Sequence, residues 1–590
     1  MNTYLLRSIT FVRRYAVLAL LAVLAVLAVA GSELAAPQLL RRIIDDGISG
    51  HHPEIVLWSS LGLVALAVIG GLAQFAQGYL SARVSHGAAY DMRNTIFDRL
   101  QTLSFSYHDR IGTGPLVTRV TSDVDIVRDF LGGGLVQAVA AAVLLVGATA
   151  TLLVMNWQLA LISLAAVPAT IFVLLRFVGR LGPISKEYQQ RLSALSSVLQ
   201  ENIAGVRVVK AFAREPYETE RYRAANSVLL EQGMRMRRTT ANAFPLLFSV
   251  GTAGVAVVTW VGAVRIATGT LTVGELVAFT SYLGLLLQPL FIIGFGAQAI
   301  ARAGASAERL FEVIDATSEV TERDGASVVT DMAGRVEFAD VHLRYPGSEV
   351  ETLRGVSFVV EPGTIVAIVG ATGSGKSSII NLLPRFYDVT SGAVLVDGVD
   401  VRDLTLDSLR SHIGVVLQES VLFSGSVADN IAYGRPDATQ QQIEDAARAA
   451  AAHDFIVALP DGYRTRVGER GIRLSGGQRQ RIAIARALLI DPAILVMDDS
   501  MSAVDATTEV TLRERLEALM RGRTTFVIAQ RLASVKRADL VVLIDDGRVV
   551  ASGTHDELAE SNCLYAQVIA DQMPDASGLV QPNACDSGGQ

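Results

Sequence analysis

Apolar residues crowd the first half of the chain in charge-free stretches, at Tyr15–Ser32, Ile55–Ala82, Phe130–Leu175, Thr239–Val264 and Leu276–Ala301. A helix needs about 20 such residues to cross the hydrocarbon core of a bilayer. Phe130–Leu175 is about twice that length, and Asn156-Trp157-Gln158 supplies a polar turn in its middle. The pattern therefore predicts six membrane helices. The two polar segments between them, Ala82–Asp129 and Arg176–Arg238, keep a helical spacing of apolar positions: Leu192, Leu195, Val198, Leu199, Ile203 and Val206 recur on one face. They are expected to carry the membrane helices well beyond the bilayer. Breaks are expected at Gly112–Leu116 and Gly205–Phe212.

An even number of crossings leaves both ends on one side. Arg7, Arg13 and Arg14 precede the first span and Arg302 and Arg309 follow the last, so both ends are expected in the cytoplasm. Arg41 and Arg42 lie on the predicted outer side, where Asp45, Asp46 and Glu54 outnumber them. Glu33, at the end of the first span, is the nearest ionisable candidate for contact with cargo, and equally reads as an interfacial carboxylate.

From Gly334 the pattern changes to short apolar runs alternating with helical stretches, as in an α/β domain. The run Ile365–Val369 feeds into Gly370-Ala371-Thr372-Gly373-Ser374-Gly375-Lys376-Ser377, and Ser378 begins an apolar helical stretch. Strand, glycine loop and helix in that order are what a phosphate-binding loop requires. In such a loop Gly370, Thr372, Gly373, Ser374, Gly375 and Ser378 shape and line the cradle. Lys376 reaches the β- and γ-phosphates of ATP, and Ser377 offers a hydroxyl to Mg²⁺. A second buried-strand run, Ile494–Met497, ends in Asp498, the expected outer ligand of that Mg²⁺.

The next residue is Asp499, where a carboxylate would polarise the attacking water, and Gln530 closes Ile528-Ala529-Gln530. Proton transfer needs hydrogen-bond reach, and a misplacement of about 1 Å can cost roughly 10²-fold. Asp499 is one methylene shorter than Glu, and Gln530 stays neutral where a histidine would titrate. Both substitutions predict slow turnover of the ATP bound by this loop.

These motifs resemble the ABC transporter superfamily, specifically an exporter-type half-transporter in which an all-α six-helix transmembrane domain is fused to an α/β P-loop nucleotide-binding domain. The resemblance spans the chain from about Arg13 to Ala570 and implies several further assignments. Tyr345 would stack on adenine. Gln418 would touch Mg²⁺ and sense the membrane domain. Ser475, Gly476, Gly477 and Gln478 form the signature that closes over the γ-phosphate of the opposite subunit's ATP. Thr465–Gly471 matches an exporter loop, and Asp505 lies in the loop joining the two sites. The two breaks fall where the family has its coupling helices. The departures are Asp499 and Gln530, where the family usually has Glu and His.

The implied division is a transmembrane domain over 1–315, a linker over 316–333, a nucleotide-binding domain over 334–573 and a disordered tail over 574–590. The family's working unit pairs two cassettes head to tail. In a homodimer both sites would contain Asp499 and Gln530. The expected partner is therefore a second, dissimilar half-transporter with Glu and His, this chain being the degenerate-site half of a heterodimer in the cell membrane. Alternatives are a homodimeric exporter, an importer of the same architecture, and an ATP-gated regulatory subunit with little hydrolysis. The span walls of Leu, Val, Ala and Gly suit a hydrophobic or amphipathic cargo, a drug or a lipid. A net charge of −7 gives no support to nucleic-acid binding.

Overall fold

The computed structural model describes residues 3–572 apart from 419, 469–473, 499–519, 521 and 530–531. Two compact units emerge. The first comprises Met1–Gln101 and Thr113–Ala316, and the second comprises Thr102–Gly112 with the chain from Thr317 onward.

The first unit is helical. Its long helices are α1 (Ala16–Arg42), α2 (Pro53–Thr102), α4 (Leu135–Leu164), α5 (Ala166–Ala204), α7 (Glu215–Ala267) and α8 (Val273–Ile314). The short helix α3 (Phe105–Ile111), which belongs to the second unit, interrupts the first polar segment, and α6 (Val206–Ala211) interrupts the second. Six helices are long and apolar enough to cross a membrane among the described residues. At 1.5 Å per residue the 53 residues of α7 reach roughly 80 Å. That far exceeds a bilayer, as the polar extensions predicted. Large apolar side chains such as Val154, Leu72 and Trp260 stand open on the helix exteriors, as lipid contact requires.

Asn156 shows how the polar turn works. Its backbone leaves the helical region at φ −158°, ψ 99°, and its Oδ1 accepts the Leu159 N–H at 3.0 Å. The side chain thereby caps the returning helix. Arg265, at the end of α7, donates to Asn156 Oδ1 at 3.3 Å and to Gln158 Oε1 at 2.8 Å. The turn and the end of α7 therefore lie at one level.

Helices in lipid gain little from hydrophobicity and pack through small residues. A Cβ added at Gly147 would meet Leu34 at 2.4 Å, and one at Gly262 would meet Leu276 at the same distance. Around these contacts Leu152, Leu159, Val258, Phe279, Tyr282 and Leu286 form a buried core. Ion pairs fasten the polar extensions: Arg309 holds the buried Asp123 at 2.5 Å and Arg119 holds Glu312 at 2.7 Å.

Arg41, the apparent exception to charge asymmetry, is paired at 2.8 Å with Glu275 and at 3.6 Å with Asp45. Asp45 in turn accepts from Thr272 Oγ1 at 2.5 Å and from the Gly274 N–H at 2.8 Å. A local network therefore balances this arginine. Glu33 is half-buried on α1.

Among the described residues the second unit holds two large sheets and a two-stranded pairing of Gly425–Ser426 with Arg466–Val467. Strands β1 (Val336–Leu343), β2 (Leu353–Val360), β4 (Ser391–Val396) and β5 (Val399–Asp400) form an antiparallel sheet in the order β2-β1-β4-β5. The larger sheet uses β3 (Ile365–Gly370), β6 (Ile413–Val416), β7 (Ile494–Asp498), β8 (Thr524–Ile528), β9 (Leu540–Asp545) and β10 (Arg548–Gly553), ordered β10-β9-β3-β8-β7-β6. Its neighbours are parallel except β9 with β10. Strands buried on both faces read as continuous Val and Ile runs, and Val366, Ile368, Val369 and Val496 are fully buried.

The docked helix of the first polar segment is α3, which lies upstream of the break expected at Gly112–Leu116; Gly112 instead ends it in the left-handed region at φ +75°. In the second polar segment, α6 falls within the expected Gly205–Phe212 break. Residues 574–590, expected as a disordered tail, lie outside the described residues.

Candidate functional site

The phosphate loop leaves the C-terminal end of β3, which lies between β8 and β9. In parallel sheets ligands collect at that edge. Register fixes what else arrives there. Ile544 of β9 pairs with Gly370, Ile528 of β8 pairs with both Ile368 and Asp498, and Val416 of β6 pairs with Met497. Asp498, the loop and the exposed Gln418 just beyond β6 therefore leave the sheet at one edge.

Two glycines are obligatory. A Cβ on Gly370 would come within 2.1 Å of the Ile544 carbonyl oxygen. Gly375 sits at φ +107°, and a Cβ there would come within 2.7 Å of Leu353 Cδ2. With Gly373 at φ +85°, left- and right-handed residues alternate into a backbone cradle suited to an anion. The Ser374 N–H donates to Ala371 O at 3.1 Å, closing the turn that contains Thr372.

Lys376 opens α9 (Lys376–Leu382). Its Nζ bends back to the Gly370 and Ala371 carbonyls, each at 2.8 Å. Burial pushes the Lys376 ammonium down and the Asp498 carboxyl up, and the opposite charge of each partly offsets the other's shift. Among the described residues Ser374 Oγ is buried without a hydrogen-bond partner, whereas Ser377 is exposed beside it. A phosphate group would satisfy the orphaned hydroxyl and the half-buried ammonium together. The oxygen set of Ser377, Gln418 and Asp498 suits a hard divalent cation such as Mg²⁺.

Tyr345 is half-buried, donates to Ser378 Oγ at 2.9 Å and meets Tyr387 edge-on with centroids 4.9 Å apart. Ser378 is thereby committed to holding the aromatic ring near the loop.

The predicted signature opens α10 (Gly476–Leu489). Ser475 Oγ accepts the Gln478 N–H at 3.2 Å, and Gln478 Oε1 accepts the Ser475 N–H at 3.0 Å. This reciprocal capping box gives Gln478 the work of fixing the helix start. Gly477 is buried behind it. The signature helix belongs to a separate core of Ile443, Ala447, Ile456, Ile482, Ile484 and Leu488, while the phosphate-loop helix packs Ile379, Ile380, Leu382 and Leu383 against the sheets. Loop and signature thus stand on different cores of the unit. Asp499, Asp505 and Gln530 lie outside the described residues, as does residues 469–471 of the expected exporter loop.

Sequence patterns did not reveal the seat of α3. Phe105 packs on Phe386 with centroids 4.3 Å apart and on Tyr387 at 6.5 Å. The Tyr387 hydroxyl donates to Asp109. Arg410 holds the seat from behind, donating to the Pro384 and Arg385 carbonyls at 3.0 Å each. Burial and the Asp109 carboxylate push the Tyr387 hydroxyl up, so it remains a donor. We expect Phe105→Ala to leave ATP binding intact and to lower cargo-stimulated ATPase about fivefold, since an aromatic pair is worth roughly 1 kcal/mol beyond its buried area. Parallel nucleotide-binding and stimulated-ATPase titrations check this.

Comparison with known proteins follows the same lines. Residues 19–290 match the ABC transporter transmembrane region and residues 353–502 match the ABC transporter family. The chain is 39% identical over 546 residues to an ATP-dependent lipid A-core flippase of Thiobacillus denitrificans, covering 92% of this chain and 93% of that protein. It is 37% identical over 547 residues to the uncharacterised ABC transporter ATP-binding protein YknU of Bacillus subtilis, covering 93% and 94%. Among solved structures, a bacterial Atm1-family ABC exporter with ATP bound superposes with a TM-score of 0.79 at 30% identity, over 94% of this chain and 98% of that one.

Proposed function

The chain belongs to the ABC transporters, as an exporter-type half-transporter of the multi-pass membrane class, and on that premise we propose that it is the degenerate-site half of a heterodimer exporting a hydrophobic or amphipathic compound. Its ATPase domain implies ATP hydrolysis coupled to transport, and exporters of this family work as dimers. One observation carries the finer reading: the binding parts are intact while Asp499 and Gln530 replace the family's Glu and His.

Lys376 and the Gly373–Ser377 backbone would bind the phosphates of ATP, with Tyr345 against the adenine. Ser377, Gln418 and Asp498 would hold Mg²⁺, which neutralises charge developing on the phosphates. Asp499 then falls short of the attacking water, so this loop retains its nucleotide. Ser475–Gln478 faces the partner's ATP, where the partner supplies Glu and His and turnover proceeds. Closure of the cassettes is transmitted through the seat of α3, and the spans open alternately to the two sides. Both termini are then cytoplasmic. The lipid A-core flippase relative supports an amphipathic cargo.

The test compares vesicles holding this chain alone with vesicles holding it beside a second half-transporter that carries Glu and His. Alone, the chain should bind ATP and turn it over slowly; paired, it should show brisk ATPase and cargo movement. Rapid hydrolysis and transport by the chain alone would sink the heterodimer reading.

A further inference from the structure

A cavity of about 490 Å³ lies between α5 and α7, lined by Phe172, Val173, Phe177 and Leu246 on its apolar side and by Arg176, Arg180, Thr239 and Asn242 on its polar side. That volume falls within the usual range for small-molecule sites. Its depth follows from the shared level of Asn156 and Arg265. Counting down the two helices at 1.5 Å per residue, Arg176 lies about 30 Å and Asn242 about 35 Å from that level. One hydrocarbon thickness is about 30 Å, so the arginines stand at the opposite membrane interface and Phe172 and Leu246 at acyl-chain depth. Phe177 and Phe244 meet at 6.2 Å and 70°, bracing the helices there.

Arg176 and Arg180 are spaced four residues apart and share a helix face. Neither has a hydrogen bond or ion pair among the described residues. The first carboxylate further along α5, Glu187, is engaged instead by Arg191 at 3.7 Å and by Gln232 at 3.1 Å. Arg235, Arg237 and Arg238, just before Thr239 on α7, add positive charge near that level. Positive charge at a cytoplasmic membrane boundary is ordinary. Two guanidinium groups without an acidic partner, on the rim of an apolar cavity between two membrane helices, are a more specific arrangement. Planar donor forks match phosphate oxygens, and basic pockets between membrane helices on the cytoplasmic side suit anionic lipid head groups.

We propose that this cavity binds an anionic phospholipid of the inner leaflet, its phosphate held by Arg176 and Arg180 and its acyl chains laid against Phe172, Val173 and Leu246. Thr239 and Asn242 would complete the polar contacts to the head group. The proposal rests on the membrane reading of the first unit and is independent of subunit composition and of the transport cycle.

Its test titrates purified full-length chain in neutral detergent with short-chain phosphatidic acid, with the matching phosphatidylcholine and with inorganic phosphate, read by thermophoresis. Phosphatidic acid should bind saturably. The Arg176→Gln/Arg180→Gln double variant should weaken it about 30-fold, near 1 kcal/mol per arginine. The Arg176→Lys/Arg180→Lys variant, which keeps the charge but loses the planar forks, should fall between the parent and the Gln variant, and ATP affinity in both variants should stay unchanged as evidence of folding. Equal affinity for phosphatidylcholine, or no loss in the Gln variant, overturns the proposal. Displacement by equimolar inorganic phosphate also overturns it, since the ligand would then be a free anion. A failure of ATP-driven transport would not move any of these readouts.

Discussion

In the proposed heterodimer, Gly477→Asp should cut ATP turnover by at least about 10²-fold, the scale of losing one preorganised donor to transition-state charge, while Lys376→Ala should leave turnover within roughly tenfold of the parent, the range of a coupling effect between sites. The asymmetry follows from where each residue acts. Gly477 lies buried beneath the capping box of Ser475 and Gln478, and in the proposed heterodimer that helix start faces the partner's nucleotide. A side chain with negative charge there both displaces the cap and repels the γ-phosphate. On the same proposal Lys376 serves the slow loop, so its loss removes bound ATP but not the working site. Steady-state ATPase of the two variants, each paired with an unmodified partner, gives the answer. Equal losses from both would mean two equivalent sites.

The second large effect is a gain. Asp499→Glu with Gln530→His should raise the ATPase of the chain assembled only with itself by about 10²-fold, the cost that a misplacement near 1 Å imposes. The glutamate adds the missing methylene, and the histidine restores a group that can titrate near neutrality. Asp499→Glu alone should give only a modest rise. Binding of ATP should hardly change, because Lys376, Ser377 and Asp498 are untouched. No gain from the double variant would place the defect elsewhere, in the site's remaining parts.

Much of this molecule is legible without coordinates because its strongest signals are local. Six spans follow from charge-free length, since the bilayer imposes a fixed thickness on any helix that crosses it. The Asn156 turn is readable because a polar triplet interrupts an apolar run. The phosphate loop is readable because backbone conformation restricts its glycines, and Gly370 and Gly375 stand where a Cβ would collide with Ile544 and Leu353. Capping of the signature helix is likewise written in Ser475 and Gln478, three residues apart.

Tertiary structure decided what depends on distant partners. Arg41 looked anomalous until folding brought Glu275 beside it. Phe105 reads as an ordinary helix residue, yet Phe386, Tyr387 and Arg410 come together to seat it, from segments some 280 residues or more away in sequence. The neighbouring, unneutralised Arg176 and Arg180 gain meaning only because α7 returns antiparallel to α5 and closes a cavity over them. Periodicity and motifs record what a residue does within one or two turns of its own element. Contacts across hundreds of residues leave no such trace, because burial and charge pairing are set by whichever segments the fold brings together.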